Sequence, residues 1–312
     1  MADDKWIAEL RAEMPLVEAA RIALERRLPI VRERLPAAVF QSAEDVEHVH
    51  QLRVSTRRAA AALRIFTDCL PARLHKRTRQ SLRRIRRSAG EARDWDVFLE
   101  MIEGRMSRAA NTHRPGLIFL AGVAQSRRLA AQEHLVAAHA DEAGPFAGWI
   151  DEVLHTLIQA KPGDSTVRSL AQSMLPTLLR ELHAATQGDL NEYEALHQIR
   201  ILGKQLRYAM ELLANCFPPE FREVHYAAVV EMQEILGLAN DSWTAWKWLD
   251  DLRRQMAGRE RRYWKSCTTG IDALSRFHEQ RLLTQRRKFE TWWRAWQKTG
   301  AEEAFAEMLR TA

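Results

Sequence analysis

Three cysteines in 312 residues are too few, and odd in number, to staple a fold. Cys69, Cys216 and Cys267 form no Cys-x-x-Cys pair, which argues against a disulfide framework and fits a reducing cytoplasm. Glycine and proline are scarce, at 13 and 10 residues, and β-branched runs are scarcer still, so neither a strand-rich nor a loop-rich fold is expected. No apolar stretch approaches the roughly 20 residues that a membrane-spanning helix needs. The opening residues, Met1 to Lys5, lead straight into charged sequence with no signal-peptide character, and the expected location is the cytoplasm. Catalytic signatures are missing too. Gly203-Lys204-Gln205 lacks the hydroxyl residue of a phosphate-binding loop and falls inside a helical pattern. There is no His-Glu-x-x-His, no Gly-x-Ser-x-Gly, no Gly-x-Gly-x-x-Gly and no carboxylate set suited to Mg²⁺-assisted phosphoryl transfer. A non-enzymatic protein without a cofactor is expected.

What remains is helix-forming sequence. Ala, Leu, Arg, Glu and Gln dominate, hydrophobic residues make up 46% and charged residues 28%. That combination predicts a soluble all-α protein with a real core. Breaks are expected near Pro36–Ala43, Leu70-Pro71, Gly90, His113–Gly116, Gly144-Pro145, Pro162–Ser165, Gly188-Asp189, Phe217–Pro219, Gly237, Gly258, Gly270 and Gly300. Between them the pattern predicts roughly a dozen helices of about 12 to 27 residues. No Gly/Ser linker separates parts of the chain, so one domain over 1–312 is expected, with internal halves at about 1–161 and 162–312.

The halves share a repeat. Shifting the chain by 147 positions superposes His50 on His197, Gln51 on Gln198, Arg53 on Arg200, Ala62 on Ala209 and Cys69 on Cys216. The same shift matches Pro71 with Pro218, Gly90 with Gly237, Ala92 with Ala239 and Asp94 with Asp241, all without a gap. Each half therefore carries a helix starting near a His, a second helix started by Pro, and a Gly-x-Ala-x-Asp exit. A duplicated helical hairpin, with its copies facing each other across a pseudo-twofold axis, explains this.

Charge concentrates on the same segments. At the α-helical angle, His50, Arg53, Arg57 and Arg64 fall within about 60° of arc, and His197, Arg200, Lys204 and Arg207 within about 80°. Lys76, Arg79, Arg83, Arg86 and Arg87 share about 100° of a second helix. From residue 50 to 94, thirteen Lys/Arg face only Asp68, Glu91 and Asp94, a local excess of +10 in a chain of net charge +6. Like charges one turn apart cost helix stability, so such a stripe points to a linear polyanion held by Arg forks that match phosphate oxygens. The second helix of the second half departs from this: residues 219–237 have Arg222 alone against Glu220, Glu223, Glu231 and Glu234. An asymmetric site is expected, weighted towards the first half. His48 and His50 could suggest a metal, but Ala195 matches His48 in the second half and no Cys or carboxylate cluster accompanies them. Asp94 and Asp241 read better as helix caps or Arg partners than as paired catalytic carboxylates. In the C-terminal run 276–298, Phe289, Trp292, Trp293 and Trp296 form a core-facing stripe, and the cations between them either extend the basic surface or cover a solvated face.

Four segments in order resemble the CHAD family, the conserved histidine α-helical domain. They are His50-Gln-Leu-Arg-Val-Ser-Thr-Arg-Arg58, Leu82-Arg-Arg-Ile-Arg-Arg-Ser-Ala-Gly-Glu-Ala-Arg-Asp-Trp-Asp-Val97, His197-Gln-Ile-Arg-Ile-Leu-Gly-Lys-Gln-Leu-Arg-Tyr208 and Gln233-Glu-Ile-Leu-Gly-Leu-Ala-Asn-Asp241. The resemblance implies two helical bundles related by pseudo-twofold symmetry and a basic central surface or pore that binds inorganic polyphosphate. It also implies association with polyphosphate granules. By motif position it assigns phosphate contact to His50, Arg53, Arg57, Arg58, Arg83, Arg87, Arg93, His197, Arg200, Lys204 and Arg207. Many relatives are fused to a triphosphate-processing CYTH domain, but no Glu-x-Glu-x-Lys motif occurs here, so any polyphosphate-metabolising enzyme is expected to be a separate partner. Two alternatives stay open: a nucleic-acid-binding helical protein, and an accessory subunit of an enzyme acting on phosphate chains. No recognised helix-turn-helix, zinc finger or stacking platform appears in the sequence, which leaves nucleic acid as a non-specific competitor.

Overall fold

The computed structural model describes residues 5–256 and 261–311, and among these the regular structure is helical throughout. In chain order the helices are α1 (Leu16–Phe40), α2 (Glu47–Ile65), α3 (Ala72–Met106), α4 (Arg114–Gln159), α5 (Val167–Thr186), α6 (Tyr193–Leu213), α7 (Ala227–Met256), α8 (Arg261–Lys298) and α9 (Ala301–Thr311). Short 3₁₀ turns at Thr67–Cys69 and Ala214–Cys216 follow α2 and α6, and these two turns are separated by the 147-residue shift of the sequence repeat. A π-helical turn, Phe221–Tyr226, leads into α7.

Local chemistry sets several boundaries. Asp45 accepts from the Glu47 backbone N–H at 2.8 Å ahead of α2. Thr166 and Ser169 form a capping box at the start of α5, satisfying donors that the first turn leaves free. Pro71 and Pro115 start α3 and α4, where a missing N–H costs nothing. Gly300, at φ +70°, turns the chain from α8 into α9, a left-handed conformation open to glycine at little cost.

The long helices α3 and α4 pair as an antiparallel hairpin, tied by Arg84–Glu142 and Arg128–Asp96. α7 and α8 pair likewise, tied by Arg253–Asp272 and by Trp292 Nε1 donating to Glu231 at 3.0 Å. The tips of both hairpins meet in one small core of Phe98, Ile102, Leu117, Leu120, Ala245, Leu249, Cys267 and Ile271. Their other ends join α1, α2, α5, α6 and α9 in a much larger core around Phe66, Phe146, Phe221, Phe289 and Phe305, all fully buried. Burying each such ring contributes about 2–3 kcal/mol. Phe289, Trp293 and Trp296 are buried and Trp292 packs against the same core, as their spacing predicts.

Four expected breaks are not breaks. α3 runs through Gly90, α4 through Gly144-Pro145, α7 through Gly237 and α8 through Gly270, so the described helices are fewer and longer than expected, reaching 46 residues in α4. Gly258 lies outside the described residues. A glycine costs only about 1 kcal/mol inside a helix, and two of these glycines answer a need for close approach. A Cβ on Gly270 would stand 2.2 Å from the His113 carbonyl oxygen, where α8 passes the start of α4. A Cβ on Gly90 would stand 3.1 Å from Arg53 Nη1. For the same reason Asp94 and Asp241 lie within helices and cap nothing.

Candidate functional site

α2 packs against α6, which brings the two His-x-x-Arg stripes together. The apolar side of α2 (Val49, Leu52, Ala59, Leu63) is buried, and so is that of α6 (Leu196, Ile199, Leu206, Met210). With those faces in the core, the basic stripes are left at the shared margin. His50, Arg53 and Arg57 on α2, and His197, Arg200, Lys204 and Arg207 on α6, are all half-buried.

The electrostatics make one cluster of the two stripes. Lys204 is pushed down to about 6 by burial first, then by Arg57, Arg200, Arg53 and Arg207 in that order. His50 is held below the usual imidazole range by burial, with Arg93, Arg53 and Arg57 adding to the effect and Glu47 opposing it. Arg53 donates to the Gly90 carbonyl at 3.1 Å and pairs with Asp94 at 3.0 Å. It is thereby pinned across the α2–α3 contact, with a carboxylate that offsets only part of the charge. Arg200 carries a buried Nε with no hydrogen-bond partner.

The second basic helix continues the cluster. Lys76, Arg79, Arg83, Arg86 and Arg87 are exposed on α3 and Arg93 is half-buried. Arg86 lies within the fields of Arg57, Arg83 and Arg79, and Arg64, exposed near the end of α2, lies within that of Arg79. The chain of mutually repelling cations therefore runs from Arg64 and Arg79 through Arg86 and Arg57 to Lys204 and Arg200. Arg87 is paired with Glu91 one turn on at 3.4 Å.

A family model for the CHAD domain matches residues 22–250. The chain belongs to the CHAD domain family. Among solved structures, the CHAD domain from the plant Ricinus communis superposes with a TM-score of 0.70 at 22% identity, covering 91% of this chain and 93% of that one. PptA from Streptomyces chartreusis superposes with a TM-score of 0.65 at 17% identity, covering 90% and 99% respectively. Both likenesses concern the fold. No curated protein sequence matches the chain.

Not every cation of the CHAD motifs stands free in this chain. Arg58 pairs with Glu211 at 3.2 Å, and Glu211, only 3% exposed, also accepts from the Tyr226 hydroxyl at 2.9 Å and lies 3.6 Å from Arg207. This network clamps α2 to α6 and the π-helical turn beneath the cluster. Glu211 occupies the repeat position of Arg64, so one half spends a charge on structure where the other exposes it. Likewise, the repeat positions of Lys76, Arg79, Arg83, Arg86 and Arg87 hold Glu223, Tyr226, Val230, Gln233 and Glu234. The ridge is present in the first half alone, as its composition predicts. No group of three or more His, Cys, Asp or Glu side chains suited to a metal ion occurs among the described residues.

Two features of the site escaped the sequence. Tyr208 is buried beside Arg57 and lies 4.9 Å beneath the Arg207 guanidinium, so one ring adjoins cations from both halves. The second is a stack of rings at the rim. Tyr193 lies on Trp243 at 4.2 Å and 14°, Trp243 meets Trp246 at 5.1 Å, and His197 meets Tyr193 at 5.7 Å. The Tyr193 hydroxyl donates to Asn240 at 3.0 Å. Helical spacing on α7 alone cannot reveal a ladder that needs α6 to complete it.

Proposed function

We propose that this protein binds inorganic polyphosphate without transforming it, along the track from the α3 ridge into the α2–α6 cluster. The observation that carries this reading is the convergence of Arg53, Arg57, Arg200, Lys204 and Arg207 on one place with too few carboxylates to neutralise them. Gathering cations at a half-buried site weakens the free protein and becomes favourable when a polyanion is present. Membership of the CHAD family and the pinned, fork-shaped donors support a phosphate chain as that polyanion. Held at polyphosphate granules in the cytoplasm, the module would position a separate polyphosphate-metabolising enzyme. Among the described residues no helix is long and apolar enough to cross a membrane.

The deciding experiment is a quantitative binding titration across polyphosphate lengths, with DNA and RNA as competitors and salt varied. The expected result is tight binding, affinity falling steeply with salt, and weak displacement by DNA at equal phosphate. Equal displacement by DNA would transfer the site to nucleic acid. Metal-dependent release of phosphate by the pure protein would make it an enzyme.

A further inference from the structure

Of the ten tryptophans, eight lie in or against one of the two cores, and only Trp243 and Trp246 belong to neither. Tyr193 shares no core contact with them either. Of these three half-buried rings, Tyr193 stacks on Trp243 at 14°, while Trp246 meets Trp243 at 33° and His197 meets Tyr193 at 38°, and the row lies outside both cores. They sit at the margin of the cation cluster: Tyr193 is two turns before Arg200 on α6, and Trp243 is two residues beyond Asp241, whose field reaches Arg200. The first half has no counterpart, because Val46, Asp96 and Leu99 occupy the repeat positions of Tyr193, Trp243 and Trp246. The half that lacks the arginine ridge thus carries an aromatic shelf.

A second feature does not suit bare phosphate. Asp241 is exposed inside the phosphate track and makes no ion pair among the described residues, while Asn240 contacts it at 3.4 Å. A carboxylate at this place repels phosphate oxygens and accepts hydrogen bonds from hydroxyl groups.

From the shelf, the carboxylate and the adjoining guanidinium groups we infer that the second half recognises a nucleoside oligophosphate. The base stacks on the Tyr193–Trp243–Trp246 ladder, Asp241 accepts from ribose hydroxyls, and the phosphates run over Arg200 and Lys204 towards Arg57. Stacking of a base on an aromatic side chain is indifferent to base identity, so the shelf selects for the presence of a base rather than for one nucleotide. This inference rests on the phosphate-binding reading above and adds a ligand class to it.

The test compares ATP with inorganic tripolyphosphate in direct binding titrations on the full chain, without metal, and follows tryptophan fluorescence. ATP is expected to bind about tenfold tighter than tripolyphosphate and to quench tryptophan emission, with tripolyphosphate quenching far less. Trp243→Ala should abolish the difference while leaving tripolyphosphate affinity within twofold, which also shows that the variant is folded. If Trp243→Ala loses its helical circular dichroism, Trp246→Ala, at the end of the ladder, makes the same comparison. Equal affinities in the unmodified protein, or a difference that survives both substitutions, would overturn the inference and leave polyphosphate binding intact. Failure of polyphosphate and tripolyphosphate to bind would instead overturn the phosphate-binding reading, whatever ATP does.

Discussion

Arg57 and Lys204 occupy the same position in the two copies of the repeat, and in the folded chain Arg57 is the strongest of the charges acting on Lys204. The repulsion thus acts between equivalent positions of the sequence repeat, on α2 and α6. A site that is positively charged and half-buried on both sides stores unfavourable energy until an anion arrives.

The burial of Lys204, reinforced by that repulsion, has an effect of measurable sign. Lys204 falls from an ordinary lysine value to about 6 in the folded protein, so between about 6 and the unfolded value the unfolded chain holds a proton that the folded chain lacks. Stability from this group therefore rises with pH across that window and is lowest at and below about pH 6. Lys204→Met should raise the melting temperature at pH 6–7 by about 1–3 °C and flatten its rise towards alkaline pH, as read by calorimetric scans.

Polyphosphate binding should draw the proton back onto Lys204, and onto His50, which is depressed for related reasons. Affinity is thus expected to strengthen as pH falls from 8 towards 6, with net proton uptake on binding. Titration calorimetry in buffers of different ionisation enthalpy measures that uptake directly, and proton release would contradict the assignment.

Removing Arg53 and Arg200 together tests the centre of the site. The double Arg→Ala variant should bind polyphosphate more than tenfold more weakly, since each charge-assisted hydrogen bond contributes about 1.5–3 kcal/mol. Helical circular dichroism should be unchanged. Unaltered affinity would move the ligand onto the Lys76–Arg87 ridge.

Glu211 should behave in the opposite way. Glu211→Gln removes the buried carboxylate that pairs with Arg58, whose side chain is only 14% exposed, and breaking such a pair costs about 3–5 kcal/mol. Denaturant unfolding should show that loss, while polyphosphate affinity measured below the melting transition changes little.

Two glycine substitutions separate packing from function. Gly270→Ala drives a methyl against the His113 carbonyl and should destabilise by about 1–3 kcal/mol. Gly90→Ala meets only the flexible tip of Arg53, so stability should hold or rise while polyphosphate affinity drops as the guanidinium is displaced. Paired thermal-shift and binding measurements distinguish the two outcomes.

The sequence by itself determined the helical class, the gapless repeat, the core-facing stripe at Phe289–Trp296 and the asymmetry of the ridge. Each of these is written in composition, periodicity or local charge, which depend on residues near one another in the chain. The tertiary structure decided what depends on neighbours distant in the chain. Glycines at 90 and 270 read locally as helix stops, and only the approach of Arg53 and of His113 shows why a side chain is missing there. Arg58 looks interchangeable with Arg57 along α2 until buried Glu211 claims it. The aromatic ladder exists only because α6 lays Tyr193 against Trp243 of α7. The repeat named the cations; burial and the opposing helix determined which of them remain available to an anion.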